Sequence, residues 1–495
     1  MVSPVSRVLR SIPRPLRRGF KAFLFAVALP GLLLAAPGGK AGNGGPRPRL
    51  TPPVDRAITL PEAIELVLAT HPSVAAPAHA VSAADHGLKA AEALKLPRIS
   101  LQNILKESDN YKRYQQLGPI GPLLSDINND SAMISGAVIE VPVYVGDRIA
   151  ILPRLAEKKK SAQQQLRRKI LQDTVLEVTG LYMDVLVAEK QLKLERERIA
   201  RKELDLEAAR EKAAGDLLAE SRLTGLELEL DELHQQQLDW TNQLDEAQQH
   251  LAELVGLPPG NPVKLDPELE MRDVEGPVTD MFRVARAENP EIRLLEIALS
   301  CSGEEMGLAA SDEKPQVNFR ADWFWDRPWE RPQNADSVWT VALMSTWNLF
   351  DGGRVDQEKK QARDKMREAK ANLAAGLQQV DLQIRQAYSN LTASRKLMDG
   401  LERSVGLARR TLQTVTEKYQ VNVLPRAELL EARTNLMRAT VNRDRVSAAV
   451  LKTRALLFRL MGRLEPSIFQ AGPAAPLAEP GTHGLAEHAM ARGER

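Results

Sequence analysis

KPQVNFRADWFWDRPWERPQNADSVWTVALMSTWNLFDGGR, residues 314–354, holds two runs of alternating side chains joined by a polar, proline-containing link. In the first run Val317, Phe319, Ala321, Trp323 and Trp325 alternate with Gln316, Asn318, Arg320 and Asp322. In the second, Trp339, Val341, Leu343, Trp347 and Leu349 keep the odd-numbered phase. A period of two puts odd residues on one face of a strand and even residues on the other. The runs predict strands over about 315–326 and 337–350, the length that a tilted membrane-crossing strand needs. Five of the six tryptophans fall between 323 and 347. Trp323, Trp325, Trp339 and Trp347 therefore read as an aromatic girdle at a membrane interface. A soluble sandwich can show the same alternation, but it does not call for tryptophans gathered in this way.

Upstream, the same plan appears once already. His71-Pro72 answers Asn289-Pro290 and Pro97 answers Pro315, both pairs 218 apart (290 − 72 and 315 − 97). Val143-Tyr144-Val145-Gly146 answers Leu349-Phe350-Asp351-Gly352 at 206, and Ala214-Gly215 answers Val421-Asn422 at 207. An internal duplication follows, with a small length change in the strand pair. The first repeat spans 57–262 and the second 277–465, each a helix, a β-hairpin and a long helical hairpin. Its first helix is expected over 59–95, opened by Thr59 with Glu62 three residues on. Strands are expected from Pro97 and over about 132–144.

Beyond each strand pair the period changes to 3.5. Val178, Leu181, Val185, Ala188 and Leu192 step three and four residues at a time, as do Leu223, Leu226, Leu230 and Leu233. A longer series runs from Val380 through Ile384, Ala387 and Leu391 to Tyr419. Such spacing means left-handed supercoiling against a partner helix. Long helices are expected over about 148–213 and 354–420, with returning helices over 217–255 and 425–461. A helix of about 65 residues extends roughly 100 Å, far more than a globular domain. Gly215 and Asn422 suit the left-handed residue that ends a helix, and Pro425 suits the first turn of the next.

The chain has 495 residues and a net charge of +2, which gives a nucleic-acid role no support. Its single cysteine, Cys301, excludes a disulfide framework. Arg7, Arg10, Arg14, Arg17, Arg18 and Lys21 precede an apolar stretch from Ala22 to Ala36, so residues 1–41 read as an export signal cleaved after Ala36 or Ala41. Residues 42–56 read as a flexible linker, and 466–495 as a disordered tail. After the signal no apolar run approaches 20 residues, so a membrane crossing must use strands. No catalytic constellation, phosphate loop or cofactor signature is present. His79 and His86 can share a helix face, but two histidines alone are a weak metal signal. Neither an enzyme, a cofactor nor a metal is expected.

Four strands cannot close a barrel, and an open sheet edge in lipid leaves backbone groups unpaired. Two, three or four copies would give eight, twelve or sixteen strands, and more than eight leaves an open lumen.

The order of these features resembles the TolC-type outer-membrane efflux protein family over about residues 57–463. Each repeat carries Thr70-His71-Pro72 or Glu288-Asn289-Pro290-Glu291, then Leu96-Pro97-Arg98-Ile99 or Lys314-Pro315-Gln316-Val317. The exit Trp347-Asn348-Leu349-Phe350-Asp351-Gly352-Gly353-Arg354 and the segment from Tyr419 to Ala432 match in turn. The resemblance implies an α+β membrane protein: a homotrimer with a twelve-stranded β-barrel in outer-membrane lipid and a coiled-coil α-helical tunnel in the periplasm. It implies a passive export duct, in a tripartite efflux or type I secretion system. The duct would dock on a periplasmic adaptor (membrane fusion) protein and an inner-membrane efflux pump or ABC transporter. It further implies that Glu428 and Glu431 form an acidic ring at the periplasmic entrance and that Tyr419 serves as an entrance latch. Leu424 and Ser221 depart from the charged residues some members carry there. The alternatives are a periplasmic adaptor or a structural coiled-coil scaffold. An adaptor predicts one hairpin beside compact β-rich domains, and a scaffold leaves the tryptophan-rich strands unexplained.

Overall fold

The computed structural model describes residues 57–107, 131–214, 220–257, 263–267, 271–328 and 336–469. The chain divides into two units, Met1–Arg49 and Leu50–Arg495, and the description concerns the second. The export signal, the linker before residue 57 and Gly215 lie outside the described residues.

Two short helices open the fold, α1 (Leu60–Thr70) and α2 (Pro72–Ala93). Thr59 and Glu62 cap α1 reciprocally, each side chain bonding the other's backbone N–H. The single helix expected over 59–95 is thus two. His71 breaks it because the residue before a proline is pushed to an extended conformation, here φ −73° and ψ 131°. The His71 ring then caps α2 by accepting from the Ser73 N–H.

Strands β1 (Arg98–Glu107) and β2 (Ser131–Val145) follow, then α3 (Arg148–Ala214) and α4 (Glu220–Val255). The order recurs as α5 (Val278–Glu288), α6 (Pro290–Ser311), β3 (Gln316–Pro328), β4 (Asp336–Thr346), α7 (Arg354–Gln420) and α8 (Arg426–Leu460). Between α5 and α6, Asn289 is buried and makes three bonds. Its Oδ1 accepts from Glu291 N at 2.7 Å and Ile292 N at 3.3 Å, and its Nδ2 donates to Leu460 O at 2.7 Å.

Helices α3 and α7 have 67 residues each, about 100 Å of helix. Near the sheet the lateral order is α2, α3, α6, α7; away from it the order is α4, α3, α8, α7. The seam between α3 and α8 carries a ladder of ion pairs. Asp173 meets Arg459 at 2.7 Å, Asp184 meets Lys452 at 2.5 Å, and Lys190 meets Asp444 at 2.7 Å. Glu197 meets Arg433 at 2.9 Å and Arg201 meets Glu431 at 3.1 Å. Acid and base exchange helices along the ladder, so a slipped register would bring like charges together. Each half-exposed pair stabilises little by itself; their joint value is in fixing the register.

The main core is a belt around the middle of α3. Ile64 and Val67 of α1, Tyr182 of α3, Leu251 of α4, Met281 of α5 and Leu457 of α8 are all buried there. The Tyr182 hydroxyl lies 2.9 Å from Ile58 O and 2.8 Å from Asp266 O, beside the parallel bridge between Ile58 and Leu265. Burial raises its pKa above the usual tyrosine value. The tail joins this belt too. Residues 466–495 read as disordered in the sequence, yet Pro466–Phe469 forms a 3-10 turn with Ile468 and Phe469 buried. Two large apolar side chains within four residues suffice to seat the segment, despite the Gly/Pro-rich sequence beyond it. Among the described residues no helix is long and apolar enough to cross a membrane.

Candidate conduction pathway

The four strands form one antiparallel sheet in the order β1-β2-β3-β4. The pairing decides which residues share a face. Ile139 lies opposite both Ile99 and Ala321, and Ala321 lies opposite Val341. Ala137 links Leu101 to Trp323, and Trp323 pairs with Trp339. One face therefore collects the odd-numbered apolar residues of all four strands. Leu101, Trp323, Trp339 (74% exposed), Val341 and Leu343 stand open on it.

The other face sets charged residues among apolar ones and is tightly fitted at Gly136 and Val138. Arg320 reaches Glu140 at 3.4 Å and Asp322 at 2.9 Å. Phe324 lies across Gly136, where any Cβ would collide with the ring. Val138 is fully buried on this face. A cavity of about 730 Å³ is lined by Arg98, Glu140, Asn318, Arg320, Met344 and Thr346. All four strands contribute to it, together with Ala90 and Ala93 at the end of α2. Asn318 and Arg320 line that face, while Phe319, Trp323 and Val341 share the opposite one.

The aromatic residues lie at two levels rather than one. Trp323 and Trp339 face each other near the hairpin ends, with Trp325 beyond them. Trp347 follows the end of β4, and its indole N–H donates to Glu313 O at 2.9 Å. Gln316 pairs with Thr346, so seven residues of β3, about 23 Å, separate the two levels. The four residues read as an aromatic girdle, Trp323, Trp325, Trp339 and Trp347, thus fall at two levels along the strands. Linear sequence brings Trp339 and Trp347 close, but a strand places them at opposite ends. Tyr144 joins the Trp347 level. Pro142 pairs with Asn318 but Tyr144 with Val317, a bulge that leaves Val143 without a partner and turns Tyr144 to the apolar face. The proline at the bulge was the available signal.

At the far end of α7, Asn422 has φ +56°. Its N–H bonds Tyr419 O at 3.0 Å and the Val423 N–H bonds Lys418 O at 2.9 Å, closing the turn. Pro425 is the N-cap of α8, one residue ahead of the first turn in which the sequence puts it. Tyr419 is half-buried and Glu428 is exposed. Glu431 is tied to Arg201 of α3 at 3.1 Å, so the two acids do not stand alike. Arg201 was missed because its partner lies 230 residues away and no local spacing announces it. Lys202 with Glu229 and Arg210 with Glu227 bind α3 to α4 in the same region; the hydrogen bond from Lys202 holds the Glu229 carboxyl below its usual pKa. Among the described residues no group of three or more His, Cys, Asp or Glu is placed to hold a metal ion.

Comparison with known proteins gives this geometry a context. The sequence model of the family described as "Outer membrane efflux protein" matches residues 63–257 and 282–463. Protein CyaE of Bordetella pertussis is 25% identical over 335 residues, covering 66% of this chain and 70% of that protein. The crystal structure of the Campylobacter jejuni CmeC outer membrane channel superposes with a TM-score of 0.67 at 14% identity, covering 82% of this chain and 87% of that one. The outer membrane protein VceC of Vibrio cholerae superposes at 0.66 and 15% identity, covering 82% and 97%. These structures share the fold.

Proposed function

The chain belongs to the outer membrane efflux protein family, and from that premise we propose that three copies build one continuous duct from the outer membrane into the periplasm. As a family member it is an outer-membrane efflux channel, a transport duct and not an enzyme. The observation that carries the finer reading is the sheet. Its apolar face is exposed, a cavity lies against its other face, and among the described residues β1 and β4 each have one neighbour. A sheet whose outer face meets lipid must have no free edge, and closure by further copies satisfies that. Three copies give a twelve-stranded barrel, wide enough for an open lumen. The two tiers of aromatics about 23 Å apart suit the two interfaces of an outer-membrane barrel's apolar band.

The same assembly accounts for the outer helices. Helices α4 and α7 lie at the two lateral ends of the layer. Leu228 and Leu238 on α4, and Leu397 and Leu407 on α7, are exposed there. Contact between α7 of one copy and α4 of the next would cover them and close a helical tunnel. The two repeats, 57–262 and 277–465, then alternate around the ring. The tips would dock on a periplasmic adaptor driven by an inner-membrane pump, either an efflux pump or an ABC transporter. Outer-membrane fractions treated with an amine cross-linker test the reading. Trimers support it, and a monomer in the cytoplasm overturns it.

At the tip, Glu428 and Glu431 are both exposed, and Glu431 is paired with Arg201. A ring of like carboxylates favours cations. Glu428→Gln should therefore weaken block by divalent ions in planar-bilayer recordings. Arg201→Ala should release Glu431 and raise cation selectivity. Unchanged conduction in both variants would place these acids off the pathway.

A further inference from the structure

Between α3 and α8 the belt opens into a groove of about 220 Å³. Met183, Val187, Pro267 and Leu451 line it, together with Lys190 and Arg443. Met183 belongs to the core, and Val187 and Leu451 pack against it. The charges here do not balance. Lys190 at 2.7 Å and Arg443 at 2.9 Å share the one carboxylate of Asp444. Three residues beyond Leu451, on the same side of α8, Arg454 lies 3.2 Å from Asp273, which Arg395 of α7 also holds. The Nε groups of Arg454 and of Arg272, the residue before Asp273, are buried without a hydrogen-bond partner. Burial lowers the Arg454 pKa, and the Arg395 charge lowers it further. Four cations thus share two carboxylates along this side of α8.

The last described residues lead to this place. Ile468 and Phe469 are buried in the belt, and Ile468 O accepts from Arg272 N at 3.0 Å, so the chain leaves the belt beside Asp273. The sequence that follows is complementary. Residues 470–491 carry two acids, Glu479 and Glu487, and no lysine or arginine. Leu477 and Glu479 are the first large apolar residue and the first acid after Phe469. Pro473, Pro476 and Pro480 fix their own φ and so reduce the freedom that docking removes. From Phe469 to Glu479 the chain can span up to about 33 Å. Arg454 and Arg443 are about 17 Å apart along α8, well within that reach.

We propose that the groove between α3 and α8 is the docking site of the chain's own C-terminal segment, with Leu477 against Val187 and Leu451 and Glu479 on Lys190 and Arg443. The direction follows from the exit beside Asp273. The carbonyls of residues 471–476 pass Arg454 first and accept from its unpartnered Nε–H, a charge-assisted bond. Leu477 then meets the apolar part of the groove, and Glu479 supplies the carboxylate that the shared Asp444 lacks. The groove is formed within one copy, so the proposal stands apart from the three-copy reading.

Cysteine pairing in the full chain tests it. Ser447 lines the groove between Arg443 and Leu451, and Ala478 stands between Leu477 and Glu479. In a Cys301→Ser background, Ser447→Cys with Ala478→Cys should close a disulfide within one chain on mild oxidation, read by mass as a linked peptide pair. Ser447→Cys with Ala489→Cys, further along the tail, should link roughly tenfold less. Adding Arg443→Glu, or high salt, should cut the first yield several-fold. Glu479→Ala should cut it too, without touching the groove. Equal yields at 478 and 489, or a yield indifferent to charge and salt, would mean random encounters and overturn the proposal. Disulfides between copies would give the groove to a neighbour's tail, and no linkage at all would leave it to another acidic partner; either result overturns it.

Discussion

In the belt, Ile64, Met281 and Leu457 are sealed from solvent, while on the sheet Leu101, Trp339 and Leu343 stand open, although the residue types are alike. The belt is closed within one chain by α1, α4, α5 and α8 around α3. Nothing among the described residues covers the sheet. Apolar side chains buried by the chain's own helices answer to water. An exposed face of comparable apolarity suits the lipid contact that the proposed barrel requires.

The comparison can be broken by making each region behave like the other. Met281→Ala opens a cavity in the belt and should cost about 2–5 kcal/mol, read as a lower melting temperature. Leu343→Ala removes a side chain from an open face and should shift it far less. Equal losses would mean the sheet is packed as the belt is.

A charge sharpens the contrast between the sheet's two faces. Phe319→Arg on the apolar face should cost up to about 2–4 kcal/mol per copy if it lies near the bilayer midplane. Asn318→Arg, on the opposite face, should be mild. Assembly yields in outer-membrane fractions measure both, and equal yields would refute the facing.

Smaller effects belong to the belt's margins. Asn289→Ala removes the cap of α6 and should cost about 0.5–2 kcal/mol by chemical denaturation. Burial of the Leu460 carbonyl it leaves unpaired puts the loss toward the upper end. The least effect is on pH. The Arg463 guanidinium holds the Glu288 carboxyl below its usual 4.5. A depressed carboxyl stabilises the fold above that pH and loses its contribution as pH falls through the lowered value. Arg463→Met should flatten the acid limb of a stability profile below about pH 4.5. An unchanged limb would assign the acid sensitivity to other carboxylates.

The sequence made the periodic features legible and left the long-range ones hidden. The first residues of α3 and α7 and the odd-even phase of β3 and β4 follow from spacing, because neighbours in sequence decide them. The bulge at Pro142 and Tyr144, which turns a tyrosine to the apolar face, depends on a strand over 170 residues away. The Arg201–Glu431 pair depends on a helix equally remote. The distance between Trp339 and Trp347 along the sheet follows from the strand register, which the clustering of tryptophans does not record. Ile468 and Phe469 are seated by α1 and its neighbours, which no local pattern in the tail records.

The central claim is that the sheet's apolar face lies in lipid while the helices stand in water. Tryptophan quenching tests it directly. One variant in proteoliposomes keeps only Trp323 and Trp339; a second keeps only Trp240, which stacks under Arg445 at 5.6 Å on α4. Brominated lipids should quench the first strongly and leave the second unchanged. Quenching of Trp323 and Trp339 by aqueous iodide alone, with no response to brominated lipid, would contradict the account.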